Sequence, residues 1–183
     1  MKEVKPFYEI ELKALLTGGD YERLLRELPT KMKSVNEDSV HTIRYRPGDL
    51  RLRRSNKIFE FVTKEGDVTN LSRKEIKIEL ASLDALENFA QLFSILRFKP
   101  DPSWLKHKQE FECELNGFKY TVCLQHIENF AYILEVEFLS ERDDSMIHEP
   151  NLKKIIKELG CEPIEPQDFS KKIREYIEVN KDV

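Results

Sequence analysis

Cysteine is scarce in this chain, which contains three: Cys113, Cys123 and Cys161. An odd number of cysteines cannot all pair, and their spacing does not match that of thiolate metal ligands. We therefore expect neither a disulfide framework nor a thiolate zinc site. A chain of 183 residues can bury a substantial core without such crosslinks, and we expect a single domain over residues 1–183.

Long apolar runs are also missing. No stretch approaches the roughly 18 residues of a transmembrane helix, and the first residues lack the apolar segment of a secretory signal. Hydrophobic residues make up 40% of the chain and charged residues 35%, a balance that is typical of globular domains rather than disordered tails. We therefore expect a cytoplasmic protein without a membrane partner.

The chain also lacks an excess of positive charge. The chain has 34 acidic residues against 30 lysines and arginines, which gives a formal net charge of −4. This balance provides no general attraction to the backbone of nucleic acid. We expect no nucleic-acid partner, and any anion-binding site must be local.

The first strong pattern is an alternation near the N-terminus, where residues 7–13 read Phe-Tyr-Glu-Ile-Glu-Leu-Lys. Successive side chains of a strand point to opposite faces. The apolar residues at positions 8, 10 and 12 therefore share one face, and the opposite face carries Glu9, Glu11 and Lys13. Alone, this pattern is also typical of an amphipathic strand whose charged face meets water.

Later segments repeat this pattern. Strands are predicted over residues 40–46, 50–54, 58–64, 73–80 and 132–138, and a hairpin over residues 104–125. Helices are predicted from apolar residues at helical spacing, over residues 20–28 with Asp20 as the N-cap, and over 82–96, 152–159 and 169–177.

The hairpin has a well-defined register, because Asn116-Gly117 supplies the two positive-φ positions of a type I′ turn. This turn pairs Leu115 with Phe118 and Cys113 with Tyr120. Cys113 and Cys123 are then expected to face opposite sides of the hairpin, where they cannot bridge.

The charged faces of the strands are sorted by sign, since some strands carry carboxylates and others carry lysine or arginine. One antiparallel sheet with a wet face would produce this arrangement by chance. A closed sheet explains more, because strands that close on themselves can enclose a polar interior. We therefore expect an α+β fold in which about eight antiparallel strands form a closed barrel, or tunnel, with helices packed on the outside.

The interior of such a barrel would contain cations and carboxylates together. The cations are Lys13, Arg51, Arg53, Lys64, Lys106 and Lys108, and the carboxylates are Glu9, Glu11, Glu75, Glu135 and Glu137. Arginine and lysine suit phosphate oxygens, and clustered carboxylates suit Mg²⁺ or Mn²⁺. The pattern predicts a site for a short polyphosphate and a divalent metal.

These residues resemble the motifs of the CYTH superfamily, the triphosphate tunnel metalloenzymes, over nearly the whole chain. The Glu-x-Glu-x-Lys signature corresponds to residues 9–13, and an Arg-x-Arg strand to residues 51–53. A strand-ending lysine corresponds to Lys64, and a late Glu-x-Glu to residues 135–137. The Lys-x-Arg before an aromatic residue corresponds to residues 106–108, where Lys108 replaces the usual arginine.

The resemblance implies a role for each position. Glu9, Glu11 and Glu135 would hold Mg²⁺ or Mn²⁺, with Glu75 and Glu137 as additional metal ligands. The triphosphate would contact Lys13, Arg51, Arg53, Lys64, Lys106 and Lys108, and the catalytic residues would be Glu9, Glu11 and Lys13. The chain departs from the family pattern at Gln125, where an aspartate is common, so this position carries no charge.

The resemblance implies a metal-dependent phosphohydrolase that acts on a triphosphate such as ATP, thiamine triphosphate or tripolyphosphate. Two alternatives use the same site: a class IV adenylyl cyclase, which forms cyclic AMP and pyrophosphate from ATP, and a non-catalytic polyphosphate- or nucleotide-binding protein. A homodimer is a further expectation.

Overall fold

The computed structural model describes residues 6–67 and 69–180, whose strands all belong to one antiparallel sheet. The strands are β1 (Phe7–Leu16), β2 (Lys33–Arg46), β3 (Leu50–Arg54), β4 (Phe59–Glu65), β5 (Ser72–Glu79), β6 (Lys99–Pro100), β7 (Trp104–Leu115), β8 (Phe118–Ile127) and β9 (Ala131–Ser140). The helices are α1 (Gly18–Lys31), α2 (Leu83–Ile95), α3 (Ser145–Glu158) and α4 (Pro166–Val179).

Eight of these strands close into a ring. The order around the sheet is β3-β4-β5-β1-β9-β8-β7-β2, and β2 also pairs with β3. The short strand β6 pairs with the end of β2, outside this ring. The closed tunnel expected from the sequence is therefore confirmed, although the ring is not an evenly shaped barrel.

The alternation of β1 determines which side chains enter the ring. Ile10, Leu12 and Ala14 belong to an apolar core outside the sheet, and this core also contains buried side chains of α1 and α3, including Leu24 and Ile156. The residues between the apolar positions of β1 point into the ring, as the sequence predicts.

A second apolar core lies under α2. Leu86 and Phe93 of α2 pack with Tyr45 of β2 and Leu52 of β3. Ser82 caps the helix by accepting a hydrogen bond from the amide of Ala85 at 3.2 Å. The two cores support the ring on different sides.

The β7–β8 hairpin has the predicted register. Leu115 pairs with Phe118 and Cys113 with Tyr120, and both turn residues have positive φ, 54° at Asn116 and 78° at Gly117. Cys123 consequently lies on the inner face of the ring while Cys113 packs against the outer core.

Several predicted boundaries are wrong, and α3 begins at Ser145 rather than at residue 152. The first helix begins at Gly18 rather than after Asp20, because Thr17 is the N-cap and accepts a hydrogen bond from the amide of Asp20 at 3.1 Å. Strand β2 begins at Lys33 rather than at residue 40, since its polar first half pairs with β7 from Lys33 opposite Glu112 onward.

No helix in residues 6–67 and 69–180 combines the length and apolar character needed to cross a membrane.

Replacing Leu134 by alanine tests the packing of the outer core. Leu134 is fully buried on β9, and losing its side chain should lower the free energy of unfolding by about 2–5 kcal/mol, measured by urea denaturation. Leu139→Ala on the same strand is the matched control, because Leu139 is 51% exposed, and it should cost less than about 0.5 kcal/mol. Equal effects of the two variants would contradict this account of the core.

Candidate functional site

The predicted site residues all line one cavity inside the ring, of about 530 Å³. Strands β1, β3, β4, β5, β7 and β9 contribute them, and they are Glu9, Glu11, Lys13, Arg51, Arg53, Lys64, Glu75, Lys106, Lys108, Glu135 and Glu137. The cavity lies in the usual size range of ligand pockets, about 300–1,000 Å³. The structure therefore brings together residues that are up to 128 positions apart in the chain.

Three carboxylates form the densest part of the wall. Glu9, Glu11 and Glu137 each offer an oxygen, and these oxygens lie within 4.8 Å of one another. Glu11 and Glu137 are direct partners across the β1–β9 pair. We refer to Glu9, Glu11 and Glu137 as the carboxylate trio.

The ammonium group of Lys64 lies against this trio. Its side chain is 4% exposed and forms ion pairs with Glu9, with Glu75 at 3.4 Å and with Glu11 at 3.7 Å. Burial lowers the pKa of Lys64, and the charge of Glu75 opposes that shift. The Oε2 atoms of Glu9 and Glu75, which face this ammonium, are buried and accept no hydrogen bond from another described residue.

Lys13 binds the other side of the acidic wall. Its ammonium lies 2.8 Å from Glu11 and 2.9 Å from Glu135. Burial alone would lower the pKa of Lys13, but these two carboxylates outweigh burial and raise it. Burial likewise opposes ionisation of Glu135, and Lys13 and Lys106 nevertheless hold the pKa of Glu135 well below its usual range.

Gln125 stands beside Glu135 on the neighbouring strand β8. Its Nε2 atom donates a hydrogen bond to Glu135 Oε1 at 2.8 Å, and Gln125 is 2% exposed. The amide therefore neutralises nothing, but it fixes the orientation of the Glu135 carboxylate.

The carboxylate of Glu137 ionises less readily than usual, because its pKa is raised. Burial is the main cause, followed by the charges of Glu135 and Glu11, and together they raise the pKa of Glu137 to about 7. The acidic wall thus holds more negative charge than its lysines neutralise, a condition that a bound cation would relieve.

Arg51 is held by a residue that the sequence analysis missed. Its Nε and Nη2 atoms donate to the two carboxylate oxygens of Asp49 at 2.7 and 2.8 Å, and Arg73 of β5 donates to the same carboxylate. Although Asp49 is buried, the two arginines keep its pKa well below its usual range. Asp49 looks like a turn residue in the sequence, after Pro47-Gly48, and its one local signal is its position two residues before Arg51.

Arg53 and Lys106 are cations of a different kind. Neither forms an ion pair with a carboxylate in the described part of the chain, although both line the cavity. Burial lowers the pKa of Lys106; the charge of Glu135 opposes that shift, and the charge of Arg53 adds to it. Lys108 is instead paired with Glu110 at 2.6 Å. The cavity therefore contains two positive charges that form no direct ion pair in the described part of the chain.

Helix α4 contributes apolar side chains to the same cavity. Phe169, Ile173, Tyr176 and Ile177, its predicted apolar stripe, line the wall. The ammonium of Lys13 lies 5.6 Å from the centre of the Phe169 ring, within the range of a cation–π contact. The polar interior therefore has an apolar boundary on the side of α4.

The carboxylate trio fits a hard divalent cation. Its ligands are oxygens only, which Mg²⁺ and Mn²⁺ prefer, and apart from the Lys64 ammonium no described donor faces the buried Oε2 of Glu9. Glu75 and Glu135 are not among the carboxylates whose oxygens converge in this way; Lys64 contacts the first, and Lys13 and Gln125 contact the second. Of the predicted metal ligands, Glu9, Glu11 and Glu137 are thus the three that converge.

Several solved structures have the same fold. A protein from Pyrococcus horikoshii OT3 matches with a TM-score of 0.71 and 22% identity, over 92% of this chain and 99% of that one. A conserved hypothetical protein from Pyrococcus furiosus matches with a TM-score of 0.66 and 22% identity, over 83% and 90% of the two chains.

A more distant match comes from Hippeastrum. That protein is named a "putative adenylyl cyclase" with a dominant triphosphatase activity, and it matches with a TM-score of 0.60 and 12% identity, over 87% of this chain and 90% of that one. No family model and no curated protein matches the chain. At these identities the likeness shows the fold, and the fold expected from the resemblance to the CYTH superfamily is confirmed.

The raised pKa of Glu137 predicts a pH-dependent stability. Because the folded protein holds the Glu137 proton more tightly than the unfolded chain does, its stability should fall as the pH rises from the ordinary value of 4.5 through about 7. Glu137→Gln removes this ionisation and should raise the melting temperature by roughly 2 °C or more at pH 8 in EDTA.

The gain from Glu137→Gln should disappear near pH 4.5, where the wild-type carboxyl is protonated. Glu141→Gln, at an exposed position just after β9, is the control and should change neither melting curve. A gain of equal size at both pH values would show that charge on Glu137 is not the cause.

Proposed function

We propose that this protein is a metal-dependent phosphohydrolase that acts on a triphosphate. The observation that carries the proposal is the juxtaposition, in one cavity, of the carboxylate trio and the two unpaired cations Arg53 and Lys106. A bound triphosphate would neutralise these two cations, and a divalent cation would supply the positive charge that neutralises the carboxylate trio. The triphosphatase activity named for the Hippeastrum protein of this fold supports the same reading.

The cations of the cavity would bind and orient the substrate. Arg53 presents a planar fork that matches two phosphate oxygens, and Lys106 and Lys108 add point charges beside it. As phosphoryl transfer spreads negative charge over the equatorial oxygens, fixed cations stabilise that charge without reorganising. Arg51 contributes less directly to substrate binding, because its Nε and Nη2 atoms already donate hydrogen bonds to Asp49.

The carboxylates have a complementary role. Glu9, Glu11 and Glu137 would hold Mg²⁺ or Mn²⁺, which when bound neutralises phosphate charge and polarises a phosphoryl oxygen. Lys13 bridges Glu11 and Glu135 and so keeps both carboxylates aimed into the cavity. Gln125 has no ionisable proton and serves to position Glu135.

The test is an assay of products with wild-type protein. Tripolyphosphate, thiamine triphosphate and ATP are each incubated with Mg²⁺ or Mn²⁺, and the expected product is orthophosphate. Glu11→Gln should keep the fold but lower the metal-dependent rate by about 100-fold or more, because it removes a charged ligand of the trio.

Other products would point to other functions. Cyclic AMP and pyrophosphate from ATP would overturn hydrolysis in favour of cyclisation, and tight binding without turnover would identify a binding protein. An undiminished rate in Glu11→Gln would contradict the assignment of the trio.

Replacing Arg53 by alanine tests the basic wall separately. Loss of its charge-assisted hydrogen bonds should weaken tripolyphosphate binding by about 10- to 100-fold, measured by isothermal titration calorimetry in the absence of metal. Arg54→Ala is the matched control, because the next residue of β3 points to the other face and is exposed. Unchanged affinity in Arg53→Ala, or an equal loss in both variants, would rule out Arg53 as a phosphate contact.

A further inference from the structure

The ammonium of Lys64 occupies the place where the carboxylate trio would receive a cation. Two members of the trio, Glu9 and Glu11, are ion-paired with Lys64, and Glu75 completes its surroundings. Lys13, the other lysine of the acidic wall, contacts one member of the trio, Glu11, and its second partner is Glu135 outside the trio. Lys64 is therefore the cation whose position overlaps most with that of a metal.

An ammonium group satisfies these oxygens incompletely. It has three N–H donors on a single nitrogen, whereas Glu9, Glu11 and Glu75 present six carboxylate oxygens. The buried Oε2 atoms of Glu9 and Glu75 face this ammonium and accept no hydrogen bond from any other described residue. A divalent cation with six oxygen ligands suits such a shell better than an ammonium does.

The ammonium and a divalent cation cannot share the trio, since like charges a few ångströms apart repel strongly in a buried site. We propose that Lys64 acts as a resident counter-ion of the carboxylate trio, and that binding of a divalent cation displaces its ammonium toward the triphosphate. This inference rests on the proposed function and adds an exchange of cations to it.

The cavity offers a destination for the displaced ammonium. Lys64 lines the same space as Arg53 and Lys106, which form no direct ion pair with a carboxylate in residues 6–67 and 69–180. Without an anion there, a third cation would be repelled by these two. A bound triphosphate removes that repulsion, so metal binding and triphosphate binding assist each other through the position of one side chain.

The inference predicts that the wild-type protein binds metal more weakly than its carboxylates allow. In Lys64→Gln, the full-length protein without triphosphate should bind Mn²⁺ about tenfold or more tightly than wild type, measured by electron paramagnetic resonance of free Mn²⁺. A purely structural role of Lys64 would lower the affinity instead, because the carboxylates would lose their support.

The control variant is Lys106→Gln. It removes the same charge from the same cavity, but Lys106 forms no ion pair with the trio. Its Mn²⁺ affinity should rise by a distinctly smaller factor than that of Lys64→Gln. Equal gains in both variants would show that overall charge, rather than occupancy of the trio, controls metal affinity, and would overturn the inference.

If Lys64→Gln does not fold, a second comparison, between Glu75→Gln and the double variant Lys64→Gln/Glu75→Gln, tests the same displacement. Glu75→Gln removes one of the three negative charges around Lys64, so the double variant Lys64→Gln/Glu75→Gln has the same local net charge as wild type. The double variant should bind Mn²⁺ more tightly than Glu75→Gln alone, and equal or weaker binding would overturn the inference.

The result also separates this inference from the proposed function. If wild type and every variant fail to bind Mn²⁺, the proposed metal-dependent hydrolysis fails and the inference fails with it. If all bind Mn²⁺ equally, the proposed function stands and the displacement of Lys64 alone is wrong.

Discussion

Repulsion between carboxylates inside a closed ring of strands is the constraint on which the rest of this structure depends. Glu11 and Glu137 face each other across β1 and β9, with Glu9 beside them. Buried like charges at such distances destabilise the fold unless they are neutralised. Lys13 and Lys64 supply part of that neutralisation, and the same requirement makes the cavity receptive to an added cation.

The packing outside the ring keeps these charges together. The core under α1 and α3 holds the outer faces of β1, β8 and β9, and the core under α2 holds β2 and β3. Burial of apolar side chains on the outer face supplies the free energy that offsets the electrostatic cost on the inner face. A ring supported in this way can present poorly neutralised groups on its inner face while remaining folded.

The sequence predicted the parts of the site that follow from local periodicity. The two-residue period of β1 and β9 placed Glu9, Glu11, Glu135 and Glu137 on one face, and Asn116-Gly117 set the register of the hairpin. What the sequence could not show was pairing between distant residues. Asp49 looked like an ordinary turn residue, and its burial against Arg73 arises because β3, β4 and β5 come together in space. The first half of β2 was missed because its polar residues have no apolar alternation, although pairing with β7 makes it a strand.

The register between β1 and β9 determines which side chains enter the apolar core and which enter the cavity. Leu12 lies opposite Val136, next to Glu11 opposite Glu137. A slip of one residue would exchange the two faces, so that carboxylates would enter the apolar core and aliphatic side chains would enter the cavity. A misregistered molecule would therefore lose both its core and its ligand-binding wall. A stably folded molecule that lacks the charged cavity is therefore not expected from such a slip, because one strand register determines both the apolar core outside the ring and the charged lining inside it.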